Sequence, residues 1–259
     1  MLALDHRGSF KKFINKKEPE LVSDEEVVEV KREIISSLKE EFSGVLIDPK
    51  WGLPAYREKN KPYLLCAEKT GYAETEGERI TEIEYQAEEL KKMGASGVKL
   101  LVYFNPEAKT NERQLRTAKK VLADVKENEL PFFLEIVTYG NEELGRTRKE
   151  WVLKSLQMFL DFGIRPDVFK LEYPDDKQGC EEITYILKDI PWILLTRGVS
   201  FEVFKEQLKD AVQSGARGFL AGRALWQEIV DCKTEKERKV FLDNIVVERF
   251  KEIYKIVLN

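Results

Sequence analysis

The chain alternates short, nearly uninterrupted apolar runs with longer segments in which apolar residues recur every three or four positions. The short runs predict β-strands that are covered on both faces, because a strand with one face in water would alternate apolar and polar residues. The predicted strands lie within Met1–Asp5, Gly44–Pro49, Tyr63–Lys69, Gly97–Phe104, Pro131–Tyr139, Val168–Pro174, Trp192–Gly198 and Gly218–Ala224.

The segments between the runs predict amphipathic helices. Ser23 and Glu26 form a capping-box sequence, and the stripe from Val27 to Leu38 predicts the helix that follows it. Further helices are predicted over Ile80–Leu90, Asn111–Asn128 and Trp151–Phe162, before Asp189, after Ser200 and at the C-terminus. Strict alternation predicts a parallel sheet, and eight strand–helix units favour a closed (β/α)8 (TIM) barrel over an open sheet. We predict one domain over residues 1–259.

Composition narrows the class of protein. The apolar fraction of 42% can build a large core, and the net charge of -4, with basic residues scattered among acidic ones, argues against a nucleic-acid surface. We expect neither a membrane span nor a secretory leader, and hence a cytoplasmic protein. Cys66, Cys180 and Cys232 match no disulfide or zinc pattern, and His6 is the single histidine. We therefore expect no zinc site and predict no metal and no cofactor, although carboxylate-only magnesium binding is left open.

Lys170 stands inside the sixth apolar run, between Phe169 and Leu171. A buried lysine is usually paired or functional, and burial favours the neutral amine, which is a nucleophile. The alternative interpretation is an ion pair with Glu172, which lies two residues on and therefore on the same strand face.

Lys99, Glu135 and Lys170 belong to predicted strands four, five and six. Since alternate strands share a layer inside a barrel, Lys99 and Lys170 are expected to face each other with Glu135 from the strand between. A second ammonium favours the neutral form of Lys170, and a nearby carboxylate can transfer protons. The three side chains predict imine chemistry. The structural alternative is a buried Lys–Glu–Lys ion network.

Polar residues follow nearly every predicted strand, at the barrel end where function is located. The seventh and eighth strands end in Thr196–Ser200 and Ala221–Ala224, where an arginine flanks a glycine and a helix begins after Ser200. Glycine N–H groups and a helix N-terminus predict a phosphate site. The predicted substrate- and phosphate-binding residues are Asp5, His6, Arg7, Asp48, Lys69, Arg197, Gly198, Ser200, Gly222 and Arg223.

Eight segments carry a resemblance to a known family. They are LALDHRG at Leu2–Gly8, LIDPKWGLPA at Leu46–Ala55, AEKTGY at Ala67–Tyr72, VKLLVYFNPE at Val98–Glu107, PFFLEIVTY at Pro131–Tyr139, PDVFKLEYP at Pro166–Pro174, LTRGVS at Leu195–Ser200 and AGRALW at Ala221–Trp226. With these segments the chain resembles the class I aldolases of the tagatose 1,6-bisphosphate aldolase group, nearly from end to end.

The resemblance implies a TIM barrel, a Schiff-base lysine at Lys170, an acid/base glutamate at Glu135 and a further active-site lysine at Lys99. It implies phosphate contacts at the Gly198–Ser200 and Gly222–Arg223 turns. It also implies a metal-independent aldehyde-lyase that cleaves a phosphorylated ketose into two three-carbon products, such as dihydroxyacetone phosphate and glyceraldehyde 3-phosphate.

Some features depart from that group. His6 stands where the group usually has glutamine, and the DHRGSF and KLLVYFNPE segments resemble the 2-deoxy-5-keto-gluconate 6-phosphate aldolase-like domain. Sulfofructose-phosphate aldolases are also related, so these two substrates remain alternatives. A phosphosugar isomerase or epimerase that uses Glu135 without a covalent step, and a non-catalytic sugar-phosphate sensor, are the other classes left open. The expected partner is a small sugar phosphate, and a homo-oligomer is left open.

Overall fold

The computed structural model describes residues 1–258. Its strands are β1 Leu2–Leu4, β2 Val45–Ile47, β3 Tyr63–Cys66, β4 Ala73–Thr75, β5 Glu78–Ile80, β6 Gly97–Phe104, β7 Phe132–Thr138, β8 Val168–Leu171, β9 Trp192–Leu195 and β10 Phe219–Leu220. The α-helices are α1 Gly8–Ile14, α2 Asp24–Leu38, α3 Gly52–Ala55, α4 Ala87–Lys92, α5 Asn111–Glu127, α6 Arg148–Asp161, α7 Lys177–Leu187, α8 Phe201–Gln213, α9 Arg223–Trp226, α10 Glu235–Phe241 and α11 Val247–Leu258. Short 3-10 helices cover Pro19–Leu21 and Gln227–Asp231, and a π-helical turn over Leu242–Val246 joins α10 to α11.

Eight of the strands form one parallel sheet in the order β1-β2-β3-β6-β7-β8-β9-β10. The first and last strands meet at Leu2 and Ala221, where the Ala3 N–H donates to the Ala221 carbonyl at 2.7 Å. The predicted (β/α)8 barrel is therefore confirmed, and each predicted run contains one barrel strand. Within residues 1–258 no helix is long and apolar enough to cross a membrane.

The barrel has an apolar floor and a polar mouth. Its floor is a buried cluster of Ala3, Leu46, Leu64, Ile193 and Leu220. Side chains two residues further along a strand point to the same side of the sheet, nearer the carboxyl end. This periodicity carries residues such as Asp5, Asp48 and Arg197 toward the mouth, while the opposite face of each strand packs on the helices.

The predicted helix over Ile80–Leu90 is wrong in its first half. The antiparallel hairpin β4–β5 occupies that position, and α4 begins only at Ala87. Glu76 and Gly77 have φ values of 53° and 81°, the left-handed values of a two-residue hairpin turn. Ile80 is buried as a strand residue and Ile83 pairs with Glu68 as an isolated bridge. The helical spacing of these isoleucines is coincidental, because β-pairing with Ala73 and Glu68 fixes their backbone.

Candidate active site

A cavity of about 260 Å³ opens at the carboxyl ends of the barrel strands. Its walls are rich in charged side chains from strands around the whole barrel. Among its lining residues are Asp5, His6, Arg7, Glu68, Lys69, Lys99, Tyr103, Glu135, Lys170, Arg197, Gly222 and Arg223. Most of the predicted site residues therefore share one cavity.

Glu135 bridges the two lysines at the centre of the cavity. It lies directly opposite Lys170 in the β7–β8 register, and its Oε1 is 2.8 Å from Lys170 Nζ. Its Oε2 is 2.9 Å from Lys99 Nζ. The structure thus brings together the three residues for which imine chemistry was predicted. Lys170 is 4% exposed, and the cavity gives its amine a route to solvent.

The sequence predicted that Lys99 faces Lys170 as a second, free ammonium. This prediction is wrong, because carboxylates surround the ammonium of Lys99. Its Nζ contacts Asp5 Oδ2 at 2.8 Å and Glu68 Oε1 at 2.7 Å, besides Glu135. Burial opposes the charge of Lys99, but these three carboxylates outweigh it and raise the pKa of Lys99 well above its ordinary value. Lys99 is therefore a fixed cation that holds three carboxylates together. Glu68 was not among the predicted ligand-binding residues.

Glu135 and Asp5 stay ionised. Burial tends to raise the pKa of Glu135, but the ammonium groups of Lys170 and Lys99 lower it below the ordinary value. Burial acts on Asp5 in the same way, and Lys99 and Lys170 hold its pKa well below the usual range. An ionised Glu135 beside Lys170 is the state that a general base requires.

Asp48 does not line the cavity, so its predicted role in substrate binding is wrong. The side chain is fully buried and pairs with the ammonium of Lys31. Its oxygens also accept hydrogen bonds from the backbone N–H groups of Trp51 at 2.7 Å and Gly52 at 3.0 Å. Asp48 thus fixes the turn between β2 and α3, because a buried carboxylate needs all of these donors.

Glu172 does not pair with Lys170. Its Oε2 accepts hydrogen bonds from the Thr138 N–H at 2.9 Å and the Thr138 hydroxyl at 2.6 Å, and its carboxylate pairs with Arg197. Arg197 Nη2 also donates to the Thr138 carbonyl at 3.0 Å. The alternative interpretation of Lys170 as the partner of Glu172 is therefore wrong, and within residues 1–258 the amine pairs with Glu135.

Arg223 packs against the turn at Gly198. A Cβ built on Gly198, whose φ is 78°, would lie 3.0 Å from Arg223 Cζ, so the guanidinium covers this glycine closely. Arg223 Nε is buried without a hydrogen-bond partner among the residues described. Gly198 and Ser200 differ from expectation, since neither lines the cavity. The Ser200 hydroxyl instead accepts from the Val203 N–H at 3.4 Å as the N-cap of α8.

Arg7 and Lys69 lie at the wall of the cavity opposite Gly198. The charged groups of both side chains already contact glutamates of the protein. Arg7 donates to the Glu68 carbonyl at 2.6 Å and to Glu84 Oε2 at 2.9 Å. Lys69 is exposed and lies 3.4 Å from Glu82 Oε2. These two residues add polarity to the cavity without a free cation directed into its centre.

The model of the DeoC/LacD family of aldolases matches residues 1–228. This chain belongs to the DeoC/LacD aldolase family. The resemblance seen in the sequence and the assignment to the aldolase class of lyases are thereby confirmed.

Several relatives of the family are similar over most of their length. The tagatose 1,6-diphosphate aldolases of Staphylococcus aureus strains bovine RF122 / ET3-1 and Newman are each 29% identical over 285 aligned residues, which cover 97% of this chain and 87% of theirs. A solved Schiff-base-forming fructose-1,6-bisphosphate aldolase has a TM-score of 0.71 and 19% identity, with coverage of 99% and 92%. The Plasmodium falciparum fructose-bisphosphate aldolase has a TM-score of 0.73, 14% identity and coverage of 99% and 89%. The structural matches support the barrel fold.

Lys31 is a buried residue of this aldolase that sequence reasoning missed. It lies on the apolar face of α2 with no exposed surface, and its Nζ donates to the carbonyls of Leu4 at 2.9 Å and His6 at 2.8 Å. With Asp48 as third acceptor, Lys31 fixes the segment of backbone that carries Asp5 and His6. The sequence does contain a signal for this burial, because Lys31 lies four residues after Val27 and therefore on the apolar face of the predicted helix.

His6 of the aldolase is a neutral imidazole at the wall of the cavity. Burial, followed by the repulsion of Arg223 and Lys31, outweighs the attraction of Asp5 and lowers the pKa of His6 to about 3. Its ring lies edge-on to Trp226 at 5.5 Å between centroids, and Nδ1 is buried without a hydrogen-bond partner within residues 1–258. His6 can therefore offer a substrate a hydrogen bond but no charge.

The pKa of His6 predicts a specific loss of stability in acid. Between pH 6.5 and 3 the unfolded state binds a proton that the folded state does not, so the stability from this group falls as pH falls, by up to about 1.4 kcal/mol per pH unit. We expect His6→Gln to flatten the pH dependence of the free energy of unfolding, measured by urea titration at pH 6.5, 5.5 and 4.5. An unchanged slope would show that His6 is charged in the folded protein.

Proposed function

We propose that this protein is a class I aldolase in which Lys170 forms an imine with the carbonyl group of a phosphorylated ketose. The observation that carries the proposal is the 2.8 Å contact between Lys170 Nζ and Glu135 Oε1 inside the charged cavity. A lysine must lose a proton before it can attack a carbonyl, and an ionised carboxylate at this distance can accept that proton.

In the proposed reaction, Glu135 first accepts a proton from the ammonium of Lys170, and the neutral amine adds to the C2 carbonyl. Glu135 returns that proton to the carbinolamine hydroxyl, which leaves as water and gives the iminium. Glu135 then accepts the proton of the C4 hydroxyl as the C3–C4 bond breaks. The bonding pair moves into the iminium to give an enamine, and the aldehyde product leaves. Protonation of the enamine at C3 and hydrolysis of the imine release the ketone product and the free lysine. Every electron pair remains within substrate and protein, and the scheme needs no cofactor.

Lys99 is proposed to position Glu135. Its ammonium holds Glu135 Oε2 at 2.9 Å, which leaves Oε1 directed at Lys170. Because Asp5 and Glu68 share the same ammonium, the cluster contains three carboxylates and two lysines. Glu135 stays ionised in the barrel interior because both ammonium groups contact it.

The turn at Gly198 and the side chain of Arg223 are proposed to bind a phosphate group of the substrate. Arg223 Nε has no hydrogen-bond partner in the described part of the chain, and this supports the role, since a buried guanidinium N–H needs an acceptor. We expect Arg223→Ala to raise KM for a phosphorylated ketose about 10- to 100-fold and to change KM for its dephosphorylated analogue far less. Equal increases for both substrates would contradict a phosphate contact.

The substrate proposed first is a ketohexose bisphosphate similar to tagatose 1,6-bisphosphate. The Staphylococcus aureus relatives named for that substrate support the choice. Its products would be dihydroxyacetone phosphate and glyceraldehyde 3-phosphate. The phosphate esters of 2-deoxy-5-keto-gluconate and sulfofructose are the alternatives within the same reaction class. Because such phosphate esters are made and retained inside cells, we also propose a cytoplasmic location.

The test of this proposal is borohydride trapping with each candidate ketose phosphate. We expect sodium borohydride to convert the imine into a stable secondary amine, which intact-mass spectrometry detects as one adduct and peptide mapping locates at Lys170. The analogous sugar alcohol, which has no carbonyl, is the control. An isomerase, an epimerase or a non-catalytic sensor would give no adduct, and an adduct on another lysine would overturn the role of Lys170.

A further inference from the structure

Tyr103 lines the cavity but has no part in the reaction proposed above. It follows Lys99 and Leu101 on the inward side of β6, and all three residues contribute to the cavity wall. Three carboxylates surround the ammonium of Lys99, and Leu101 is apolar. The hydroxyl of Tyr103 has no hydrogen-bond partner among residues 1–258. It is therefore the polar group through which β6 can hydrogen-bond a ligand.

Contacts with the hairpin β4–β5 hold the ring of Tyr103 in place. The ring of Tyr72, just before the hairpin, lies edge-on to that of Tyr103 at 5.1 Å between centroids. The guanidinium carbon of Arg79 lies 5.5 Å from the Tyr103 ring centroid. Gln114 is 2% exposed, and its Nε2 donates to the carbonyls of Tyr103 at 2.9 Å and Arg79 at 3.0 Å. A ring fixed before binding loses little conformational entropy when a ligand arrives.

The strand register places Tyr103 next to the reacting groups. Leu101, Glu135 and Lys170 lie side by side in one row across β6, β7 and β8. Tyr103 lies opposite Val137, two residues nearer the barrel mouth than this row. Because neighbouring strands are about 4.8 Å apart, an extended six-carbon chain spans more than one strand. A ketose bound at Lys170 therefore meets groups from several strands in turn.

The proposed reaction sets the direction of the substrate across the strands. The C1 phosphate is held at Arg223, after β10, C2 is bonded to Lys170 on β8, and the C4 hydroxyl contacts Glu135 on β7. Each of these groups lies further round the barrel in the same direction, so the carbons beyond C4 lie beside β6. The first polar group on those carbons is the C5 hydroxyl, and the side chain beside it that can form a hydrogen bond is Tyr103.

We infer that Tyr103 is a specificity-determining residue whose hydroxyl forms a hydrogen bond with the C5 hydroxyl of the ketose. The inference rests on the proposed function for the positions of C2 and C4. It favours the phosphate esters of tagatose and sulfofructose, which carry this hydroxyl. It disfavours 2-deoxy-5-keto-gluconate 6-phosphate, because the deoxy carbon of that substrate occupies the corresponding position in the aldehyde half.

The test uses the reverse reaction, in which dihydroxyacetone phosphate and an aldehyde condense. D-lactaldehyde and propanal are compared, because they differ only in the hydroxyl on the carbon that becomes C5. The measurement is kcat/KM for each aldehyde at saturating dihydroxyacetone phosphate, with the ketose phosphate product quantified by mass spectrometry. We expect Tyr103→Phe to lower kcat/KM for lactaldehyde about 10-fold more than for propanal, the value of one lost hydrogen bond. The different intrinsic reactivities of the aldehydes cancel when this ratio is compared between proteins.

Tyr185→Phe is the matched control, because Tyr185 is 84% exposed on α7 and does not line the cavity. It should keep the wild-type ratio of the two kcat/KM values. An equal loss for both aldehydes in Tyr103→Phe, or an unchanged ratio, would overturn the role of Tyr103.

Borohydride trapping with dihydroxyacetone phosphate separates this inference from the proposed function. The ketone half lacks C4 to C6, so the adduct at Lys170 should form in Tyr103→Phe as it does in the wild-type protein. An adduct in both proteins with an unchanged aldehyde ratio would refute the specificity role alone. A ratio that falls in Tyr103→Phe while the wild-type protein gives no adduct would refute the imine mechanism and support the contact at C5.

Discussion

Lys170→Arg is expected to abolish cleavage, with kcat lowered by at least about 10⁴-fold, and to abolish the borohydride adduct. A guanidinium keeps the positive charge beside Glu135 but stays protonated and cannot form the imine. The net charge of the cluster is therefore unchanged, so the loss of activity should come from the missing nucleophile and not from a change in the fold. The measurement is steady-state cleavage of a ketose bisphosphate, coupled to detection of the triose phosphate product.

Two controls separate chemistry from folding. Lys170→Arg should bind a hexitol 1,6-bisphosphate, which has no carbonyl group, with nearly wild-type affinity, because Arg223 is unchanged. Lys170→Met removes the charge and also the nucleophile, and it should be equally inactive but less stable, since Glu135 loses one of its two partners. Turnover that survives in both variants would mean that another group forms the covalent intermediate or that none is formed.

Glu135→Gln should lower kcat about 10²- to 10⁴-fold with a small change in KM, the range for removal of a general base. The amide can still lie between Lys170 and Lys99, but it cannot accept a proton from the amine or from the C4 hydroxyl. Partial recovery of the rate at higher pH is expected, because hydroxide can replace the missing base. The measurement is the pH profile of kcat for the two proteins.

Glu112→Gln gives a matched control for this substitution. Glu112 is an exposed glutamate on α5 that pairs with Arg116, so the same chemical change there should leave kcat unaltered. Retention of kcat within about threefold in Glu135→Gln would remove Glu135 from the proton transfers and leave it as a structural bridge.

The barrel was predictable because its signal is local. Continuous apolar runs identify strands covered on both faces, and the two-residue period places Lys99, Glu135 and Lys170 on the interior side. The same period places Asp48 and Glu68 at neighbouring strand ends, so the sequence alone did not distinguish them. The contact that distinguishes them is made by Lys31 on α2, which forms an ion pair with Asp48. Glu68 forms its ion pair with Lys99 instead.

The remaining errors have the same physical origin. The spacing of Ile80 and Ile83 satisfies a helical pattern, but Ile80 pairs with Ala73 in the β4–β5 hairpin and Ile83 pairs with Glu68 as an isolated bridge. The hairpin also places Arg79 among its tyrosines, a contact between separate segments that no local pattern reports. Which charges pair inside a barrel depends on such distant contacts, and they require coordinates.

The junction between β1 and β10 has a consequence for the order in which the enzyme acquires activity during synthesis. Asp5 and Arg223 line one cavity, yet they are brought together only when the Ala3 N–H reaches the Ala221 carbonyl. A contact between residues so far apart in sequence forms late, because loop closure costs entropy before the contact returns any stabilisation. The active cavity cannot exist on the ribosome until the last strand has emerged. In refolding, recovery of activity would therefore report barrel closure, whereas helix formation would precede it.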